Sequence, residues 1–254
     1  QAAAKEREAK AAKDDAAKAE RQARGAFAWW LKARPEIRDT PVEDYLKARG
    51  IDIRALDHKP GALRYMPDAE HAPSRSYWPA MFAIMTSSAT EANVAVHRTF
   101  LARDGSGKAP VDPARMIWPS FKGAAIRLTH GETKLPPREA AKHGLVDTLA
   151  ICEGVEDGLS LALACPELRI WAAGTLGNIE TITVPPCCGD VVVMADNDWG
   201  KPQAERALKR ALQSLASQGV KVRVARSPIG KDVNDALLSG ASDAHAASAT
   251  GRAA

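Results

Sequence analysis

Cysteine is scarce in this chain and wrongly spaced for metal binding. The 254 residues hold four, Cys152, Cys165, Cys187 and Cys188, and none forms a C-x-x-C pair. That excludes a zinc ribbon and fits reduced thiols in a cytosolic protein, so a cytoplasmic location is expected. No apolar run approaches the ~18 residues of a bilayer span, and no membrane partner is expected. No secretory leader is visible. The chain opens on Gln1 rather than Met, which reads as a fragment of something longer. A phosphate-binding loop is missing as well. GSGKA at 105–109 has the Gly-Lys pair, but Ala102 and Ala109 stand where the leading glycine and the magnesium-binding hydroxyl belong. Its setting is a hairpin rather than a strand entering a helix. Neither sign of charge dominates: the net of +4 permits a polyanionic partner without demanding one.

What remains is enough for one large domain or two small ones. Residues 1–34 read as a charged helical arm. Their first 24 are nearly all alanine and charged residues, good helix formers that bury little. Gly25 breaks that composition, FAWWLKA then supplies large apolar groups, and Pro35 ends the helix. A second helix is expected in DTPVEDYLKARG, capped by Asp39 or Thr40 with Pro41 in its first turn. Residues 35–145 read as a small, basic α+β subdomain. ALRYM, MFAIMT, NVAVHRTFLA and AAIRLT look like strands divided by turn signals. Arg98, Arg103, Lys108, Arg115, Lys122 and Arg127 collect around those turns. Singly, each reads as solvated charge. Together they suit a phosphate-binding face.

From residue 146 to 240 short apolar strands alternate with helices four times: VDTLAIC, LRIWAA, DVVVMA and VKVRVA are the strands. That rhythm predicts an α/β unit, a four-stranded parallel sheet flanked by helices. Residues 241–254 read as a flexible tail. Ligands of such sheets bind at the carboxyl ends of the strands. ICEGVEDGLS, at 151–160, puts three acids just there. Glu153 follows the first strand, Asp196 and Asp198 follow the third, and Asp232 opens the helix after the fourth. Like charges on one rim repel unless a cation sits among them. Oxygen donors without His or Cys favour Mg2+ or Mn2+, and such a site suits phosphoryl chemistry. An EF-hand reading of DNDWG fails, because its glycine is one place early and its twelfth position is Ala207.

The ordered set strand-EGVED-helix, strand-ADND-helix, strand-GKDVND-helix resembles the Toprim domain of bacterial and phage primases, topoisomerases and some nucleases. EGVED is similar to the primase form, which implies that Glu153 and Asp157 both belong to the acidic site. ADND supplies Asp196 and Asp198, and GKDVND places Lys231 and Asp232 as in phage helicase-primases. AAGTLGN, with Gly174 and Gly177, looks like the glycine turn after the second strand. The segment from VHRTFLARDGSGKA to WPSFKGAAIRL resembles, more loosely, the basic half of phage- and plasmid-type primase cores. The resemblance implies catalytic Glu153, Asp196 and Asp198, with Glu153 as base. It implies metal held by Glu153, Asp157, Asp196, Asp198 and Asp232. Nucleotide or DNA would be held by Arg98, Lys108, Lys122, Arg127 and Lys231. The implied activity is metal-dependent synthesis of RNA primers on single-stranded DNA from nucleoside triphosphates, with a replicative helicase as a further partner. Two alternatives stay open: a Toprim nuclease, and a non-catalytic nucleic-acid-binding adaptor. A type I topoisomerase fits poorly, since only Tyr45, Tyr65 and Tyr77 are present and no large extra domain carries one of them. An upstream zinc module, usual in such primases, is not seen.

Overall fold

Alanine and charge carry the first helix, α1 (Ala2–Lys32), straight through Gly25. A Cβ at Gly25 would stand 3.2 Å from the Trp118 ring, so the glycine permits close approach. The change of composition there marks a change of burial. Residues 5–21 are exposed, whereas Ala26 and Ala33 are buried and the Trp30 indole donates to the Ala62 carbonyl at 3.0 Å. Helix α2 (Pro41–Ala48) is capped by the Thr40 hydroxyl, which accepts from the Val42 N–H at 3.2 Å. It buries Val42, Tyr45 and Leu46, one face of a helix. The computed structural model of the chain describes residues 2–197 and 201–240.

Five strands follow: β1 (Leu63–His71), β2 (Ser76–Ser87), β3 (Asn93–Phe100), β4 (Arg115–Trp118) and β5 (Ala124–Arg127). They pair antiparallel. Strand β4 has no counterpart in the sequence reading. After α3 (Pro137–Lys142) come β6 (Thr148–Cys152), α4 (Val155–Ala164), β7 (Arg169–Ala172), α5 (Leu176–Ile179), β8 (Asp190–Ala195), α6 (Pro202–Ala216) and β9 (Lys221–Arg226). Residues 233–240 are helical. Strands β7, β6, β8 and β9 are parallel neighbours in that order, as the alternation predicts.

The antiparallel half does not stand apart. Ile126 and Arg127 of β5 pair with Ala172 and Trp171 of β7, and the described residues form one nine-stranded sheet. Alternate residues of β6 serve two cores. Ala150 and Cys152 join the core that runs back under β2 and β3, while Leu149 and Ile151 face α5 and α6. Helix α4 lies tight on the first face. A Cβ at Gly158 would fall 2.3 Å from Leu128 Cδ1 and 3.0 Å from Cys152 Sγ.

The amino ends of the parallel strands carry a charge pair sealed from water. Arg169 and Asp147 have fully buried side chains, and Arg169 Nη2 donates to Asp147 Oδ2 at 2.6 Å. The same nitrogen reaches the Leu135 carbonyl at 2.8 Å, and Thr133 Oγ1 donates to Asp147 at 2.7 Å. Removing one member leaves the other charge buried and unpaired. Asp147→Ala should therefore lower the unfolding free energy by about 3–5 kcal/mol in urea titrations. Divalent-ion binding should persist in the folded fraction, because this pair lies at the end of the sheet opposite the acidic rim.

Candidate active site

Strand β6 ends at Cys152, and Glu153 leaves it at the rim of the sheet. Gly154 takes extended backbone and starts α4. A Cβ there would stand 2.7 Å from Asp157 Oδ2, which is why a glycine follows the glutamate. Glu156 and Asp157 occupy the first turn of α4, where the helix dipole favours negative charge. Successive helical residues diverge by about 100°, so the two acids part. Asp157 faces the rim. Glu156 turns to the antiparallel half, where its Oε1 accepts from the Tyr45 hydroxyl at 2.5 Å.

Strand β8 delivers Asp196 to the same rim. Asn197 pins that loop to the next one: its side chain donates to the Ser227 and Gly230 carbonyls, both at 2.9 Å, and its N–H donates to the Lys231 carbonyl at 2.7 Å. Lys231 Nζ lies 3.1 Å from Asp196 Oδ2. Asp232 precedes the helical residues 233–240 and accepts from the Asp235 N–H at 2.9 Å. The buried Asn234 then ties this helix to the Arg49 carbonyl at 2.7 Å and to Ser160 Oγ at 3.1 Å.

The result is a cleft of about 200 Å³ between the two halves of the sheet. The parallel half lines it with Glu153, Glu156, Asp157, Asp196, Lys231 and Asp232. The antiparallel half adds Arg49, Lys108 and Arg115. One wall thus carries the acids, with Lys231 among them, and the other carries only cations.

Residues 148–243 match the Toprim domain model. The chain carries a Toprim domain. Residues 20–128 match a domain of unknown function, DUF7146. No curated protein matches the chain. Among solved structures, the DnaG catalytic core is 16% identical and superposes with a TM-score of 0.51, covering 89% of this chain and 77% of that one. The DnaG primase catalytic domain bound to single-stranded DNA gives 15% identity, the same TM-score of 0.51 and the same coverage of 89% and 77%. A DNA primase domain from Pseudomonas aeruginosa, 16% identical, covers 86% of this chain and 76% of its own with a TM-score of 0.49. On the two DnaG superpositions, the fold of a primase catalytic core extends beyond the Toprim domain into the antiparallel half.

Of the residues singled out in the sequence, Glu153, Asp157, Asp196, Asp232, Lys108 and Lys231 line this cleft. Asp198 lies outside the described residues. Arg98, Lys122 and Arg127 are placed elsewhere. Arg98 is 6% exposed and packs over the rings of Trp29 and Phe100, with centroids 4.9 and 5.7 Å away. Arg127 donates to Glu91 at 3.2 Å and stacks on Trp171 at 5.0 Å. Lys122 is exposed and lines a separate groove beside α1. Arg49 and Glu156 were missing from the sequence-based site, and Arg115 entered it only as one of six basic residues. Arg49 follows the last turn of α2, where nothing local marks it as functional. Glu156 was visible beside Asp157 but without a separable role.

The Toprim cleft is electrostatically tense. Burial raises the Asp157 carboxyl to about 7, with the charges of Asp232, Asp196 and Glu156 adding to it against the Asn234 N–H. Burial and then Asp196 also raise Glu153, opposed by Arg115 and by the Leu176 N–H. Asp157 Oδ1 is buried without a hydrogen-bond partner. Among the described residues, no three acidic, His or Cys side chains converge closely enough to chelate one ion as placed, and Lys231 occupies Asp196. The donors still fit a hard divalent cation: they are carboxylate oxygens, one is orphaned, and two resist ionisation because of burial and the negative charge around them. An acid whose pKa rises on folding binds its proton more tightly in the folded state, so its contribution to stability falls as pH rises. For Asp157 the loss runs from about 4 to about 7. Thermal unfolding in chelator should show a pH-dependent loss on the order of 4 kcal/mol across that window. Asp157→Asn should flatten it, and Mn2+ should restore stability above pH 7 to the wild type but less to the variant.

Proposed function

We propose that this chain is the catalytic core of a DNA primase, a nucleotidyltransferase that joins ribonucleotides on a single-stranded DNA template. The observation that carries this reading is the cleft itself. Carboxylates at the carboxyl ends of a Toprim sheet face Arg49, Lys108 and Arg115 across a space open to solvent. Acid alone would suit metal binding, and base alone would suit DNA. A nucleoside triphosphate with its cation needs both. The likeness to DnaG catalytic cores across both halves supports the reading, as does the single-stranded DNA bound to one of them.

In this mechanism Arg49, Lys108, Arg115 and Lys231 hold the triphosphate. Glu153, at the end of β6 on the wall of the cleft, takes the proton from the primer 3′-hydroxyl. The hydroxyl oxygen bonds to the α-phosphorus and pyrophosphate leaves. Mg2+ or Mn2+, held by Glu153, Asp157, Asp196 and Asp232 together with Asp198, would neutralise the phosphate charge that develops. Arg98 and Arg127 are engaged with aromatic rings and Glu91, so template phosphates fall to exposed cations such as Lys122. Single-stranded DNA, nucleoside triphosphates and a replicative helicase are the partners on this reading.

Incubating the chain with labelled nucleotides, single-stranded DNA and Mg2+ or Mn2+ tests the proposal on one gel. Products should be longer than any input. Shortened DNA would favour a nuclease, and no change a binding module. Glu153→Gln and Asp196→Asn should reduce synthesis by at least about 100-fold without weakening DNA binding, since each removes negative charge near the phosphates. Full synthesis by either variant would remove it from the catalytic set. Lys122→Ala should lower the salt dependence of DNA binding by roughly 0.7 of a log–log slope unit. An unchanged slope would return Lys122 to ordinary solvated charge.

A further inference from the structure

The Toprim rim explains Glu153, Asp157, Asp196 and Asp232, but not Glu156. This carboxylate is 5% exposed. Its Oε1 is committed to the hydroxyl of Tyr45, itself 2% exposed, at 2.5 Å. The turn of α4 points it away from Asp157, so it is poorly placed to join the metal acids. A buried carboxylate without a counter-charge is costly, and structural cement would be served as well by a neutral side chain. Its counter-charge is Lys108, whose Nζ stands 4.0 Å from the same Oε1. The nearby His97 does not compete. Burial lowers it to about 4, so it is neutral, and its Nδ1 has no partner.

Lys108 has two constraints. Its backbone is set by the hairpin after β3, through the Leu101–Lys108 bridge and the Ala109 N–H bond to the Phe100 carbonyl at 2.9 Å. Its side chain enters a wall that also holds Arg49 and Arg115. Three cations crowded on one wall repel each other and would splay into solvent. A buried anion at their root opposes that. We propose that Glu156, anchored by Tyr45, is a positioning residue that holds the Lys108 ammonium on the basic wall, aimed at the phosphates of an incoming nucleoside triphosphate.

The inference rests on the primase reading, so its test needs one readout that does not. The first readout is binding of ATP with Mn2+ to the full chain by calorimetry. The second is the rate at which an amine-reactive reagent labels Lys108, followed by mass spectrometry without nucleotide. Glu156→Gln keeps an acceptor for Tyr45 and loses the charge. It should weaken ATP about fivefold, match Lys108→Ala, and leave the double variant no worse than either single one. Labelling of Lys108 should quicken at least about threefold, with stabilisation by Mn2+ unchanged. ATP affinity at or above the wild-type value with unchanged labelling would overturn the proposal. So would losses that multiply in the double variant. If the wild type binds no ATP, the primase reading falls, and labelling alone decides the positioning role: no quickening refutes it. Should Glu156→Gln fail to fold, Tyr45→Phe frees the anchor while keeping the charge. Lys108 must then label faster in that variant, or the inference is wrong.

Discussion

Repulsion between carboxylates gathered at one rim is the constraint that organises the rest of this molecule. The parallel strands bring Glu153, Asp157, Asp196 and Asp232 to their carboxyl ends because the chain places an acid after each of three strands. Burial then makes the cluster unstable on its own, as the raised Asp157 and Glu153 show. The nearby structure supplies the compensation. Lys231 pairs with Asp196, the start of α4 offers its dipole, and the Asn234 N–H reaches Asp157. What these leave uncompensated is the charge that the proposed divalent cation would neutralise.

The compensation also explains why the two halves share one sheet. The cations of the far wall come from α2, the hairpin after β3, and β4, all in the antiparallel half. They face the acids only because β5 pairs with β7 and fixes one half against the other. Smaller ties work toward the same end. Tyr45 meets Glu156, Asn234 meets the Arg49 carbonyl, and a Cβ at Gly50 would stand 3.0 Å from Leu238. Each joins α2 to the parallel half within reach of the cleft. At the opposite end of the strands, Arg169 and Asp147 neutralise each other away from water. Burial and charge pairing secure the closed end, while the open end keeps unmatched charge.

The sequence by itself determined the parallel half and the order of its acids. Strand periodicity, helix caps and the position of an acid after a strand are local properties, and a strand's end fixes where the next side chain emerges. Glu153, Asp196 and Asp232 were legible for that reason. So were the helices ending at Gly50 and Gly219, whose positive φ suits glycine. Tertiary structure alone decided which cations belong to the cleft. Arg98 and Arg115 look alike in sequence, yet β3 carries Arg98 under α1 against Trp29 while β4 sets Arg115 on the wall. Long side chains go where packing leaves room, and that room is made by elements distant in the chain. Gly25 makes the same point. The sequence shows only a change of composition there, whereas the fold shows the ring of Trp118 resting against the glycine on an unbroken helix. Glu156 and Asp157, adjacent in sequence, part company for a reason no spacing rule supplies: one faces its own sheet's rim, and the other faces a tyrosine 111 residues away.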